Sequence, residues 1–285
     1  LTIHISILEK IFWDWSDYYM AKIKIGYIGN LYNIPEYLYH SEDFSLEYVI
    51  IEHNRINDDM LTFLLVNNIK WLELNKEDSL ENIINNSGVK LWLICSYGRK
   101  IRVDSINDAD LYNIHYAKLP YYKGRHPTFW ATMAGEKNIG ISLHKVAAEF
   151  DSGEIIAQQT VPYYLKDNES TIFEKLTEKV PELLKDMVAY LKGDRTSIKK
   201  NSEGHYYRPV IETDYTIDLK NDTYADIYNK VRCQSKYKGA RICLDGEIYW
   251  VNEVVFSQKP QEGVFKSIKL ETGIYLNIKS AAKED

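Results

Sequence analysis

Between Lys22 and His115 the chain alternates short β-branched runs with helix-patterned stretches, and no other feature restricts its fold as much. Lys22–Gly29, Tyr48–Glu52, Lys70–Leu74 and Lys90–Ser96 read as buried strands, the last apolar enough to be central. Asp59–Asn67 and Ser79–Gly88 carry helical spacing. In the second of these, Leu80, Ile83 and Ile84 share a face and Gly88 provides a stop. Strands separated by helices need crossover connections, and crossovers build parallel sheets. The expected class is therefore α/β.

The pattern then changes. Tyr112–His115 is a further short strand, followed by a loop punctuated by Pro120 and Gly124. Pro127 suits a first helical position, so a helix is expected from Pro127 to Ala134, ending near Gly135. Ile139–Val146 and Glu154–Tyr164 are β-rich and joined by a loop carrying Asp151, Ser152 and Gly153. Ser170–Leu191 has the spacing of one long amphipathic helix, opened by a capping-box-like Ser170–Glu174 segment. Beyond Tyr206 the chain turns to short Tyr/Ile/Val runs between glycine turns, preceded by a helix at about Tyr224–Arg232. The expected organisation is an N-terminal extension (1–19), a main domain (20–205) and a small β-rich C-terminal domain (206–285).

Several classes of function are disfavoured. A net charge of −6 lacks the basic footprint of broad nucleic-acid binding. No run approaches the roughly 18 apolar residues of a membrane span. Leu1–Tyr19 is apolar but interrupted by Glu9, Asp14 and Asp17, and it lacks the basic leader of a secretory signal. Cys95, Cys233 and Cys243 are odd in number and without metal-ligand spacing, which points to a reduced cytoplasmic protein with no structural metal. Gly26 and Gly29 lack the third glycine of a dinucleotide fingerprint and read as a turn.

The chemistry concentrates in Asn113-Ile-His115 and in Glu149-Phe-Asp-Ser-Gly-Glu154. In an N-x-H at a strand end, both polar side chains point to one side. An amide there can hydrogen-bond an acyl oxygen as charge builds on it. The imidazole can take the proton that an attacking amine must lose. A carboxylate nearby would orient that imidazole, and Asp151, on a glycine-flanked loop, is the candidate. Taken singly, each residue has a plainer role, as a hydrogen-bonded strand end or a common Asp-Ser-Gly turn.

In combination the sequence resembles the 10-formyltetrahydrofolate-dependent formyltransferases. The resemblance runs from about Leu91 to Leu184, through Ser96-Tyr-Gly, Asn113-Ile-His115, Leu119-Pro120, Gly124, Gly135, Gly140-Ile-Ser-Leu-His144, Asp151-Ser-Gly153 and Gln158-Gln159. It implies a Rossmann-like catalytic domain with a mostly parallel sheet, and a catalytic set of Asn113, His115 and Asp151. It also implies 10-formyltetrahydrofolate as formyl donor, held by Ser96, Tyr97, Gly98, Arg99, Lys100 and Ile101 and by the Ala147–Asp151 loop with Phe150. His144 is expected to be structural.

Tyr122, Lys123, Gly124, Arg125 and His126 form a basic loop entering a helix, suited to an anion such as a pyrophosphate, or else simply solvated. This loop, with Tyr207-Arg-Pro, Asp214, Ile217-Asp218, Val231-Arg232 and Lys238-Gly-Ala240, resembles the branch that formylates nucleotide-linked amino sugars. The implied acceptor is dTDP-4-amino-4,6-dideoxyglucose, with a 3-amino isomer or a GDP-linked 4-amino sugar left open, its product serving a surface polysaccharide such as O-antigen. A homodimer through the aromatic tail is the implied assembly. Two alternatives stand beside it: a methionyl-tRNA formyltransferase, against which a short tail containing Asp214, Asp218, Asp222, Asp226, Asp245 and Glu247 argues, and a folate- or nucleotide-binding protein without catalysis.

Overall fold

The computed structural model describes residues 21–198 and 204–284; the expected extension at 1–19 lies outside them. The chain divides into two units. The first runs to Tyr97 and includes Ile106–Asp110; the second holds Gly98–Ser105 and the chain from Leu111 onward.

In the first unit, β1 (Ile23–Gly29), α1 (Asn33–His40), β2 (Phe44–Glu52), α2 (Asp58–Val66), β3 (Trp71–Leu74), α3 (Leu80–Ser87) and β4 (Leu91–Cys95) alternate as expected. Strand β1 pairs in parallel with β2 and with β4, and β2 pairs in parallel with β3, giving the order β3-β2-β1-β4. All five residues of β4 are buried, as its apolar run requires. Asn57 caps α2 by accepting from the Met60 amide, and Ser79 caps α3 by accepting from the Asn82 amide. Gly88 closes α3 in a left-handed conformation, φ 78°. Gly26 is not part of a turn: it lies inside β1 under the Trp92 ring, where an added Cβ would sit 2.4 Å from ring carbons. Helix α1 has no counterpart among the sequence expectations, although Ile34 and Leu38 bury one face at helical spacing.

In the second unit the strands pair antiparallel to one another. Strand β5 (Asp110–His115) is antiparallel to β7 (Asn138–Lys145), which is antiparallel to β8 (Ile155–Pro162). Between them lie β6 (Lys123–Gly124) and α4 (Pro127–Met133), with Pro127 in the first turn as expected. The long helix expected at Ser170–Leu191 is two helices, α5 (Glu169–Thr177) and α6 (Val180–Leu191). Pro181 explains the break: it has no N–H to donate to Thr177, and its ring would collide with that carbonyl in a continuous helix. The N-cap is Asn168, paired with Thr171 in a reciprocal box, rather than Ser170.

The C-terminal stretch contains β9 (Tyr206–Tyr207), α7 (Glu212–Tyr215), β10 (Thr216–Ile217), α8 (Tyr224–Cys233), β11 (Ala240–Leu244), β12 (Glu247–Ser257), β13 (Lys266–Lys269) and β14 (Tyr275–Lys283). Strands β10 to β14 make a five-stranded sheet in the order β10-β11-β12-β14-β13. Ile227 and Val231 of α8 cover it, packing with Ile217, Ile242, Val251, Val254, Leu276 and Ile278 into an apolar core of its own. No helix among the described residues is long and apolar enough to cross a membrane.

Candidate active site

The β5–β7 register places Asn113 opposite His144 and His115 opposite Ser142. Side chains two apart on a strand share a face, so Asn113 and His115 point the same way. The loop between β7 and β8 brings Asp151 to that face, with Asp151 in the left-handed region at φ 50°. Gly153 lets this loop fold tightly, since a Cβ there would lie 1.7 Å from the Lys145 carbonyl oxygen.

Asp151 is the hub. Its Oδ1 accepts from Asn113 Nδ2 at 3.4 Å and lies 3.6 Å from His115 Nδ1 and 3.4 Å from His144 Nε2. Its Oδ2 accepts the Gly124 amide at 2.8 Å. Burial by itself would raise this carboxyl. His115 and His144 in their protonated forms, with the Gly124 amide, outweigh burial and hold it far below the ordinary carboxylate range.

The hydrogens of both imidazoles are fixed by their carbonyl neighbours, because a carbonyl can only accept. His115 Nε2 lies 2.8 Å from the Tyr122 carbonyl oxygen and therefore carries hydrogen. That leaves Nδ1, facing Asp151, as the position where the neutral ring takes a proton. Burial pushes His115 below its ordinary value, more than Asp151 and the Tyr122 carbonyl raise it. The resting ring is therefore neutral at physiological pH, with a carboxylate waiting at its basic nitrogen. His144 donates from Nδ1 to the Lys145 carbonyl at 2.9 Å, so its Nε2 accepts from Asn113 at 3.0 Å when the ring is neutral.

His144 thus touches both Asn113 and Asp151. It sits on an apolar strand, and only the register of β5 against β7 reveals its neighbour.

The Leu119–Pro120 segment, whose peptide bond is cis, enters the loop under a polar clamp. Ser142 Oγ accepts from the Leu119 amide and donates to the Ala117 carbonyl, while Gln158 Nε2 donates to the Leu119 carbonyl at 2.7 Å. Past it, the basic loop differs in detail from its sequence reading. Lys123 is 8% exposed, and burial lowers its pKa against the opposing pull of Asp151. The amides of Gly124 and Arg125 are engaged within the protein, with Asp151 and with the Tyr207 carbonyl. Arg125 keeps an exposed guanidinium that donates to the Gly98 carbonyl, and Tyr122 donates its hydroxyl to Glu136 at 2.8 Å. His126, at φ 52°, accepts the Val210 amide at Nδ1.

Of the residues expected to hold the folate, Ser96 closes β4 at φ 57°, and Tyr97 ends the first unit. Gly98, Arg99, Lys100 and Ile101 belong to the second unit, where Ile101 is buried and Lys100 Nζ lies 3.9 Å from Glu149. Phe150, 39% exposed, stands beside Asp151.

Comparison with known proteins gives these features a context. Residues 55–188 match the formyl transferase family model. A methionyl-tRNA formyltransferase of Streptococcus agalactiae is 31% identical over 147 residues, 51% of this chain and 47% of that protein. The chain therefore spans about half the length of the curated relatives it matches. Among solved structures, an N-formyltransferase of Helicobacter canadensis in complex with folinic acid and dTDP-3-aminofucose aligns with a TM-score of 0.67, at 18% identity, over 92% of this chain and 100% of that one. A 4-N formyltransferase from Francisella tularensis aligns with a TM-score of 0.65, at 21% identity, over 78% of this chain and 93% of that one. At such identities the likeness is one of fold.

Proposed function

We propose that this chain, which matches the formyl transferase family model over residues 55–188, transfers a formyl group from 10-formyltetrahydrofolate to the amine of a nucleotide-linked amino sugar. The observation that carries this reading is the Asp151 carboxylate within 3.4–3.6 Å of Asn113, His115 and His144. One carboxamide, one neutral imidazole and one buried carboxylate are the groups that acyl transfer to an amine needs.

The folate supplies a formyl carbon already activated for attack. The Asn113 amide donates to the formyl oxygen as negative charge develops there. His115 takes the proton lost by the attacking nitrogen at Nδ1, and Asp151 balances the imidazolium that results. A carbon–nitrogen bond to the sugar forms, the bond from carbon to the folate nitrogen breaks, and that nitrogen regains a proton. Ser96–Ile101 and Phe150 hold the folate in this reading, and the Tyr122–His126 loop faces the acceptor. Arg125 is its exposed cation for a pyrophosphate.

The favoured acceptor is dTDP-4-amino-4,6-dideoxyglucose, with the product destined for a surface polysaccharide such as O-antigen. Support for a 4-amino group comes from the Francisella 4-N formyltransferase, and support for a dTDP-linked sugar comes from the Helicobacter complex, whose own sugar is dTDP-3-aminofucose. Residues 20–205 would then be the catalytic part and 206–285 the β-rich part, forming a homodimer in the cytoplasm, where free Cys95, Cys233 and Cys243 suit a reducing medium. Methionyl-tRNA is the second reading, favoured by the curated relatives. Residues 206–285 carry as many acidic as basic side chains, so this tail lacks the net positive charge that binding a polyanion favours.

The deciding experiment supplies 10-formyltetrahydrofolate with dTDP-4-amino-4,6-dideoxyglucose and looks for the formylated product by mass spectrometry. Product that vanishes with Asn113→Ala or His115→Ala supports the reading. Inert 4-amino, 3-amino and GDP-linked sugars, with formylation of methionyl-tRNA instead, would move the assignment to the second reading.

A further inference from the structure

The two backbone groups that hold the catalytic side chains, the Tyr122 carbonyl on His115 and the Gly124 amide on Asp151, sit on one short loop. That loop does not stand alone. A segment more than 80 residues later in the chain, His205–Ile211, is laced along it. Strand β9 pairs in parallel with β6, setting Tyr206 against Lys123 and Tyr207 against Gly124. The Arg125 amide donates to the Tyr207 carbonyl at 3.1 Å, and Trp130 Nε1 donates to the Arg208 carbonyl at 3.2 Å. The Tyr207 ring stacks on Tyr122 at 5.4 Å between centroids and lies 5.3 Å from Trp130. The approach is close enough that a Cβ on Gly124 would meet the Tyr207 carbonyl oxygen at 2.4 Å. At its far end the segment is tied down by Arg208, whose guanidinium bonds both oxygens of Asp214 at 2.7 and 2.8 Å.

We infer that His205–Ile211 is a positioning strap for the catalytic pair, with Tyr207 as its central residue: it fixes the Tyr122–Gly124 backbone and so sets where His115 and Asp151 lie. The argument rests on the formyl-transfer reading of those two side chains. Tyr207 reaches the chemistry only through the backbone it braces. Two residues on a loop cannot fix two side chains from different elements unless the loop itself is held, and β6 has no other strand partner among the described residues. Both rings of the stack offer apolar faces, so a phenylalanine should brace as well as a tyrosine. An alanine leaves the backbone pairing but removes the stack.

The test compares the whole protein with Tyr207→Ala and Tyr207→Phe, after circular dichroism has shown each folded. Displacement of catalytic groups by an ångström lowers rates about 100-fold. Tyr207→Ala should therefore lose about 10- to 100-fold in kcat with KM for the amine changed much less. His115, followed by NMR of selectively labelled histidine, should titrate closer to its ordinary value, because a loosened loop admits water. Tyr207→Phe should restore both. If Tyr207→Ala unfolds, Trp130→Phe, which deletes one hydrogen bond to the strap, should give a smaller loss of about a few-fold in kcat. Unchanged kcat and unchanged His115 titration in Tyr207→Ala would overturn the strap, as would a loss confined to KM. A wild-type protein inert toward every acceptor, with the His115 titration still moved by Tyr207→Ala, would sink the formyl-transfer reading and leave the strap standing.

Discussion

The C-terminal sheet and the Asn113–Asp151 cluster both bury side chains and do so with opposite chemistry. Ile242, Val251, Leu276 and Ile278 pack in an apolar cluster, with Tyr228 and Tyr249 partly buried against it. Around Asp151 the buried groups are His115, Lys123, Ser142 and His144. The first arrangement stabilises by removing apolar surface from water. The second must offset the desolvation of each polar group with a partner, and it gains little net stability by doing so. On the formyl-transfer proposal one region is built to hold and the other to react, and substitutions should separate the two.

The largest effect belongs to the reactive side. His115→Ala should lower kcat by about 10²- to 10⁴-fold, the usual contribution of a general base, while moving the urea midpoint less than a core truncation does. Steady-state kinetics beside a urea titration would show it, and a large fall in stability would erase the distinction between the regions.

Leu276→Ala tests the other side. Loss of a fully buried leucine should lower the unfolding free energy by about 2–5 kcal/mol, with kcat per folded molecule unchanged. A fall in kcat at constant folded fraction would mean that the sheet tunes the site.

Acid should also find the reactive region first. His115 has its pKa lowered from 6.5 by burial, so between that value and its folded one the unfolded chain binds more protons. Stability therefore falls as pH drops below 6.5, by at most about 1.4 kcal/mol per pH unit for one group. Asp151, also depressed, extends the loss once pH falls below 3.8. Denaturation at stepped pH should give a shallower slope below pH 6.5 in His115→Ala than in the wild type.

The smallest effect sharpens the apolar side. Thr223 accepts the Asp226 amide at the start of α8, the helix that covers the sheet. Thr223→Ala should cost about 1 kcal/mol of stability, read from thermal melts, without touching turnover.

The same contrast explains how much could be read from sequence alone. Apolar runs announce themselves by period, so β1 to β4, the short C-terminal strands and α8 were legible, as were Gly88 and Pro127 as helix punctuation. Asn113, His115 and Asp151 were legible through the chemistry they can do together. The break at Pro181 was missed because hydrophobic spacing continues through it from Leu176 to Leu183. Helix α1 was hidden by Pro35, which a first turn tolerates. The place of His144 in the cluster depends on strand register, and the bonds from Tyr122 and Gly124 use backbone atoms that leave no mark on residue type.

Tyr122, His126 and Asp151 all hold left-handed backbone, at φ 58°, 52° and 50°. Conformations of that kind cost side-chain-bearing residues about 1–3 kcal/mol each and resist β-branched replacements most of all. In evolutionary terms these three positions act as a filter on drift. On the proposed reading, lineages that change acceptor have few open routes through the loop's main chain, so divergence in specificity should accumulate in its outward side chains instead, Arg125 first among them.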